Sequence, residues 1–134
     1  MKVEHIAIWT TRLEELKDYY SMYFGGVPNK KYINKQKDFR SYFLSFKSGA
    51  RIEIMSRPDV PENINDTVKA QHLGLIHIAF GFDTIKEVDE KANQLIEDGF
   101  QILSGPRITG DGYNEFETLD PDNNRIEVTA KYYE

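Results

Sequence analysis

Cysteine is absent from the 134-residue sequence. That excludes disulfide staples, thiolate metal sites and cysteine nucleophiles, so any metal must be held by imidazole, carboxylate or carbonyl oxygen. Positive charge is also in deficit: 22 acidic against 17 basic residues leave a formal net charge of -5. A nucleic-acid partner would demand a basic face, so a neutral or polar small molecule fits better. No apolar run approaches the length of a membrane span. The N-terminus enters a strand-like segment at once, without the basic start, long apolar stretch and small-residue cleavage site of a signal peptide. The expectation is a cytoplasmic protein. Its length suits a single domain that buries a core without staples.

What the chain does contain is a repeat. "HIAI" at His5 to Ile8 returns as "HIAF" at His77 to Phe80, 72 residues later. Helical apolar stripes follow at the same separation: Leu13, Leu16, Tyr20 and Phe24, then Ile85, Val88, Ala92 and Ile96. Both predicted helices close near glycine, at Gly25 and Gly26 and at Gly99. Capping boxes are expected from Thr11 with Glu14 and from Thr84 with Glu87. "KKYINK", "FRSYFLSF" and "RIEIMS" then read as strands in the first half, and "FQILSG", "YNEFETL" and "RIEVTA" in the second, where "DPDNN" marks a turn. Each half therefore reads strand, helix, strand, strand, strand. The expected organisation is one domain of two tandem βαβββ modules, residues 1–57 and 74–134. The linker, 58–73, has one helical turn expected around Thr67 to Gln71.

Side chains alternate across a sheet, so each strand divides into two faces. In "LIHIAF", Ile76, Ile78 and Phe80 form an apolar face and His77 points the other way. In "RIEIM", Ile52 and Ile54 face the helix side, against Arg51, Glu53 and Met55; "RIEVT" repeats this with Ile126 and Val128 against Arg125, Glu127 and Thr129. A glutamate two residues after an arginine reads, in isolation, as a surface ion pair. A histidine in an apolar strand reads as a satisfied core residue. The recurrence of two His and two Glu at equivalent places in two copies of one unit favours a site instead. His5, Glu53, His77 and Glu127 are thus the candidate ligands of one divalent ion: Zn, Ni, Co, Mn or Fe(II). Two carboxylates cancel a dication's charge, and an open coordination position makes it a Lewis acid able to stabilise an enediolate. Trp9, Phe43 and Tyr113 are candidate pocket-lining aromatics.

The doubled plan, with "HIA" opening and "RIE" closing each half, resembles the vicinal oxygen chelate superfamily of glyoxalases, bleomycin-resistance proteins and dioxygenases. The resemblance runs from Val3 to about Ala130, and "DPDNNRIE", Asp120 to Glu127, resembles that family's "DPDGN...E" ending. The ligand set is most similar to that of glyoxalase I, lactoylglutathione lyase. The resemblance implies an α+β fold of curved mixed sheets around a metal-binding cleft and one ion per site, zinc or nickel favoured. It further implies a homodimer, and isomerisation of a 2-oxoaldehyde-thiol hemithioacetal. It gives Glu127 the role of catalytic base and Glu53 that of its near-symmetric partner. Trp9 stands where glyoxalase I proteins carry a glutathione-holding arginine, and Ser56 and Arg57 stand where an asparagine is common, which leaves the thiol open. The alternatives on the same fold are a drug-binding resistance protein, a thiol transferase and a dioxygenase.

Overall fold

Leu13, Leu16 and Tyr20 recur on one face of a helix, and all three are buried. The helix they form, α1 (Leu13–Phe24), follows strand β1 (His5–Trp9) and stops at Gly25, whose φ of 70° is the left-handed turn that glycine accepts without strain. The computed structural model describes residues 1–132. They form two units, Met1–Asn63 and one that begins at Ile64.

The first unit continues with β2 (Val27–Pro28), β3 (Tyr32–Asn34), β4 (Phe39–Ser45) and β5 (Arg51–Ser56). Its sheet runs β1-β5-β4-β2, with β3 also on β4. β1 and β5 are parallel, the other pairs antiparallel. Leu44, Ile52 and Ile54 cover one sheet face and pack the core with α1. β2 is an addition to the expected plan: it is two residues long and carries a proline, too short for any alternation to announce it. The expected capping box at Thr11 does not form. The helix starts after Arg12 with no side-chain cap, and Glu14 instead accepts from Lys31 at 2.7 Å and from Tyr42 at 3.0 Å.

The second unit holds β6 (His77–Phe82), α2 (Ile85–Glu97), β7 (Ile102–Ile108), β8 (Tyr113–Leu119) and β9 (Arg125–Lys131), in sheet order β6-β9-β8-β7. Here the capping box is present: Thr84 Oγ1 accepts from the Glu87 amide at 3.2 Å and Glu87 accepts from the Thr84 amide at 3.0 Å. Val88, Ala92 and Leu95 are buried against Phe116, Ile126 and Val128. Ile96, expected in that stripe, is 55% exposed. The stripe closes its second turn at i+7 from Val88 rather than i+8, so Leu95 takes the inward place. The helical turn expected between the halves spans Asp66–Ala70, where the Ala70 amide donates to the Asp66 carbonyl at 3.0 Å and Asp66 Oδ1 accepts from Lys69.

Two local devices set the strands that carry the site. In "DPDNN", Asp120 Oδ1 accepts from the Asp122 and Asn124 amides, each at 2.9 Å, and Asn123 takes a φ of 63°. This turn delivers β9 antiparallel to β8 with Glu127 opposite Glu117. Between β7 and β8 the register slips, with Ser104 opposite Glu117 but Arg107 opposite Glu115. Gly105 lies inside the slip at φ 80°, and a Cβ there would overlap the Glu115 carbonyl oxygen.

Gly105→Ala is therefore expected to destabilise the protein by about 2–4 kcal/mol in denaturant unfolding, the range of strained-backbone and overpacking changes combined. A second expectation concerns Glu14, whose carboxyl the Lys31 ammonium holds down at about 2 from an ordinary 4.5. A lowered carboxyl contributes stability above its unfolded value and loses it as pH falls towards the folded one. Its side chain is 53% exposed, so the contribution is under about 1 kcal/mol. Glu14→Gln should lower the melting temperature slightly near neutrality, and the two melting curves should converge as pH falls from 4.5 towards 2.

Candidate metal centre

Parallel pairing places His5 beside Arg51 and Ala7 beside Glu53. With alternate side chains on alternate faces, His5 and Glu53 share the face away from α1, and His5 Nε2 lies 3.8 Å from Glu53 Oε1. Phe43 neighbours Glu53 on β4 and sets its ring against His5, edge to face, with centroids 5.2 Å apart. The Arg51 guanidinium lies 4.1 Å from the Phe43 ring and donates through Nε to Glu4 at 2.9 Å, which holds the Glu4 carboxyl below its usual range. Glu4 in turn accepts from His5 Nδ1 at 3.3 Å. Trp9 lies further along the same face of β1, 40% exposed, with Phe39 at 6.0 Å and the Arg57 guanidinium at 5.2 Å.

The second unit repeats the register, with His77 beside Arg125 and Ala79 beside Glu127. His77 Nε2 lies 3.3 Å from Glu127 Oε2, and its Nδ1 lies 3.8 Å from Glu117 Oε1. Glu117 is the β8 neighbour of Glu127. Arg125 is 7% exposed; it donates through Nη1 to Glu117 Oε2 at 3.0 Å and through Nε to the Thr67 carbonyl at 2.8 Å. Burial raises the Glu127 carboxyl above its usual range, reinforced by the charge of Glu115 and opposed by His77. Tyr113 shares this face with Glu115 and Glu117 and is 37% exposed. A cavity of about 460 Å³ opens beside Glu117, lined among others by Lys69, Ser104, Arg107 and Glu115.

This donor set fits a divalent first-row ion. One ligand atom each from His77, Glu117 and Glu127 lies within 4.8 Å of the others. Bonds of about 2.0–2.2 Å separate neighbouring ligand atoms by about 3–3.5 Å and opposite ones by a little over 4 Å. The surface-pair reading of the two "RIE" words does not describe these contacts. Each arginine turns to a different carboxylate, Arg51 to Glu4 and Arg125 to Glu117, while Glu53 and Glu127 face the imidazoles. His72 stands apart, with Nδ1 3.0 Å from the Leu73 carbonyl.

Glu4 and Glu117 are the residues that strand-by-strand reading missed. Glu117 had a signal: in "YNEFETL", Glu115 and Glu117 alternate with Phe116 and Thr118, the pattern that placed Glu127 on the face away from the helix. Glu4 had none, because it precedes its strand and reaches Arg51 only through the parallel pairing.

Solved structures share the fold. A glyoxalase family protein from Enterococcus faecalis matches with a TM-score of 0.74 at 22% identity, over 96% of each chain. A glyoxylase/bleomycin resistance protein/dioxygenase domain from Frankia sp. EAN1pec matches at 0.78 and 14% identity, over 98% of each. The trypanothione-dependent glyoxalase I of Leishmania major matches at 0.74 and 18% identity, over 97% of this chain and 86% of that one. No curated protein matches in sequence. The family model of the Glyoxalase/Bleomycin resistance protein/Dioxygenase superfamily matches residues 2–128, and with that match, the duplicated strand plan and the shared register, the chain belongs to this superfamily.

Proposed function

We propose that the protein is a metal-dependent lyase of the glyoxalase I type, acting on the hemithioacetal of a 2-oxoaldehyde and a thiol or on a similar small substrate with adjacent oxygens. One observation carries this reading: a histidine Nε2 faces the "RIE" glutamate in both units, at 3.8 and 3.3 Å, although the residues around the two pairs differ. His5, Glu53, His77 and Glu127 form the proposed ligand set of a single divalent ion, zinc or nickel. When bound, the ion supplies Lewis-acid polarisation of two neighbouring substrate oxygens. Glu127 takes the proton from the carbon that bears the hydroxyl and the sulfur and returns it to the adjacent carbon, while the hydroxyl proton passes to the neighbouring oxygen, giving the thioester of a 2-hydroxy acid. Glu53 is its partner in the ligand set, and Trp9, Phe43 and Tyr113 line the substrate's path. We read the protein as a cytoplasmic homodimer; among the described residues no helix is long and apolar enough to cross a membrane.

Elemental analysis of purified wild type, Glu53→Gln and His77→Ala tests the ligand set. About one divalent ion per chain in the wild type, lost in both variants, is the expected result. An ion lost from His77→Ala but kept by Glu53→Gln would instead assign it to His77, Glu117 and Glu127 alone. Activity is tested with methylglyoxal and a panel of thiols that includes glutathione, because Trp9 replaces the expected glutathione-holding arginine. Glu127→Gln is expected to lower kcat by at least about 100-fold, the scale of a lost general base. Metal uptake without turnover on any thiol adduct would sink the enzyme reading in favour of a binding protein.

A further inference from the structure

His5 meets Glu4 through Nδ1 and His72 meets the Leu73 carbonyl, whereas among the described residues the His77 ring makes no hydrogen bond. Two carboxylates nevertheless stand against it: Glu127 Oε2 lies 3.3 Å from Nε2, and Glu117 Oε1 lies 3.8 Å from Nδ1. One ligand atom from each of the three residues lies within 4.8 Å of the others. Atoms that share an ion are separated in this way, by about 3 Å between neighbours and a little over 4 Å across the ion. The surroundings of Glu117 leave one of its oxygens for such a role. Its Oε2 accepts from Arg125 Nη1 at 3.0 Å, while Nε and Nη2 of that buried guanidinium donate to the Thr67 and Val68 carbonyls. The two-pronged pairing open to an unencumbered arginine and carboxylate is thereby blocked. Oε1 keeps no hydrogen bond among the described residues, and it belongs to the β8 neighbour of Glu127. In the first unit the same place, beside Glu53, is filled by Phe43.

We infer that Glu117 is a further ligand of the divalent ion, bound through Oε1 while Oε2 stays on Arg125. The inference rests on the metal centre proposed above and adds one carboxylate to its ligand set, so that His77, Glu117 and Glu127 all come from the second unit. Glu53, Glu117 and Glu127 bring three negative charges to a dication, and the guanidinium held against Glu117 supplies the balance. The added donor also bears on which ion is taken. Four protein donors complete a tetrahedral zinc site, whereas a fifth suits an ion that readily accepts five or six, which favours nickel, cobalt or manganese over zinc. Two adjacent substrate oxygens then need one protein ligand to give way. Glu117 can do so without becoming a bare buried charge, because its other oxygen remains on Arg125.

The test uses full-length protein loaded with cobalt(II), in the wild type, Glu117→Gln, Glu117→Asp and Glu115→Gln. Chelator competition reads the affinity, and the position and intensity of the visible cobalt bands read the donor set. Glu115 belongs to the same strand face and carries the same charge, so its variant measures the effect of charge alone. The wild type is expected to show the weak bands of an ion with more than four donors. Glu117→Gln should loosen cobalt by at least about 100-fold, the upper end of what a residue behind a ligand contributes, and alter the bands. Glu115→Gln should cost less than about tenfold and leave the bands as they are. Glu117→Gln strips Arg125 of its charged partner; if it does not fold, Glu117→Asp, which keeps the charge but not the reach, carries the test with the same expectation. Unchanged affinity and bands in the Glu117 variant, or equal losses in Glu117→Gln and Glu115→Gln with the bands unchanged, overturn the inference and leave the centre of His5, Glu53, His77 and Glu127 intact. No cobalt bound by the wild type overturns that centre, and the inference with it.

Discussion

The parallel pairing of the first strand of each unit with its last is the constraint on which the site depends. A parallel neighbour cannot be reached by a tight turn, so the helix and the intervening strands must lie between. The pairing also fixes which residues sit side by side: His5 with Arg51, and His77 with Arg125. Two residues on, the glutamate returns to the same sheet face as the histidine. A slip of one residue would send Glu53 and Glu127 into the apolar layer under the helices, where Ile52, Ile54, Ile126 and Val128 are packed. Burial of those four side chains therefore locks the position of the two acids.

This explains what was legible in the sequence. The strands "HIAI", "RIEIM" and "RIEVT" alternate strictly, and both the alternation and the place of His and Glu on the face away from the helices are found as expected. The αL closures at Gly25 and Gly99 were likewise marked by residue type. Legibility failed wherever a partner came from a distant strand. Thr11 and Glu14 have the spacing of a capping box, yet Lys31 and Tyr42, far along the chain, claim the glutamate. Arg51 and Arg125 look paired to the acid two places on, yet they reach Glu4 and Glu117 across the sheet. Ile96 fails for a local reason, the slant of a 3.6-residue helix across its own stripe.

The two units also show how a duplicated scaffold diverges without losing its centre. Beside Glu53 stands Phe43, whose ring carries both His5 and the Arg51 guanidinium; beside Glu127 stands Glu117, tied to Arg125. The backbone places are the same. One is filled by an aromatic face that stacks on the cation, the other by a carboxylate that neutralises it. Arg51 keeps a substantial exposure and finds its acid at Glu4, while Arg125 is buried and anchored on the carbonyls of the Asp66–Ala70 turn.

That difference has a consequence for how the second unit meets solutes. Glu115, Glu117 and Glu127 stand on one face of its sheet, with Arg125 buried against Glu117, while Arg107, paired opposite Glu115, and Lys69 bring exposed cationic groups to the same cavity. The cavity therefore presents charges of both signs at short range, a lining that suits a polar solute with its own acceptor and donor groups better than a bare apolar one.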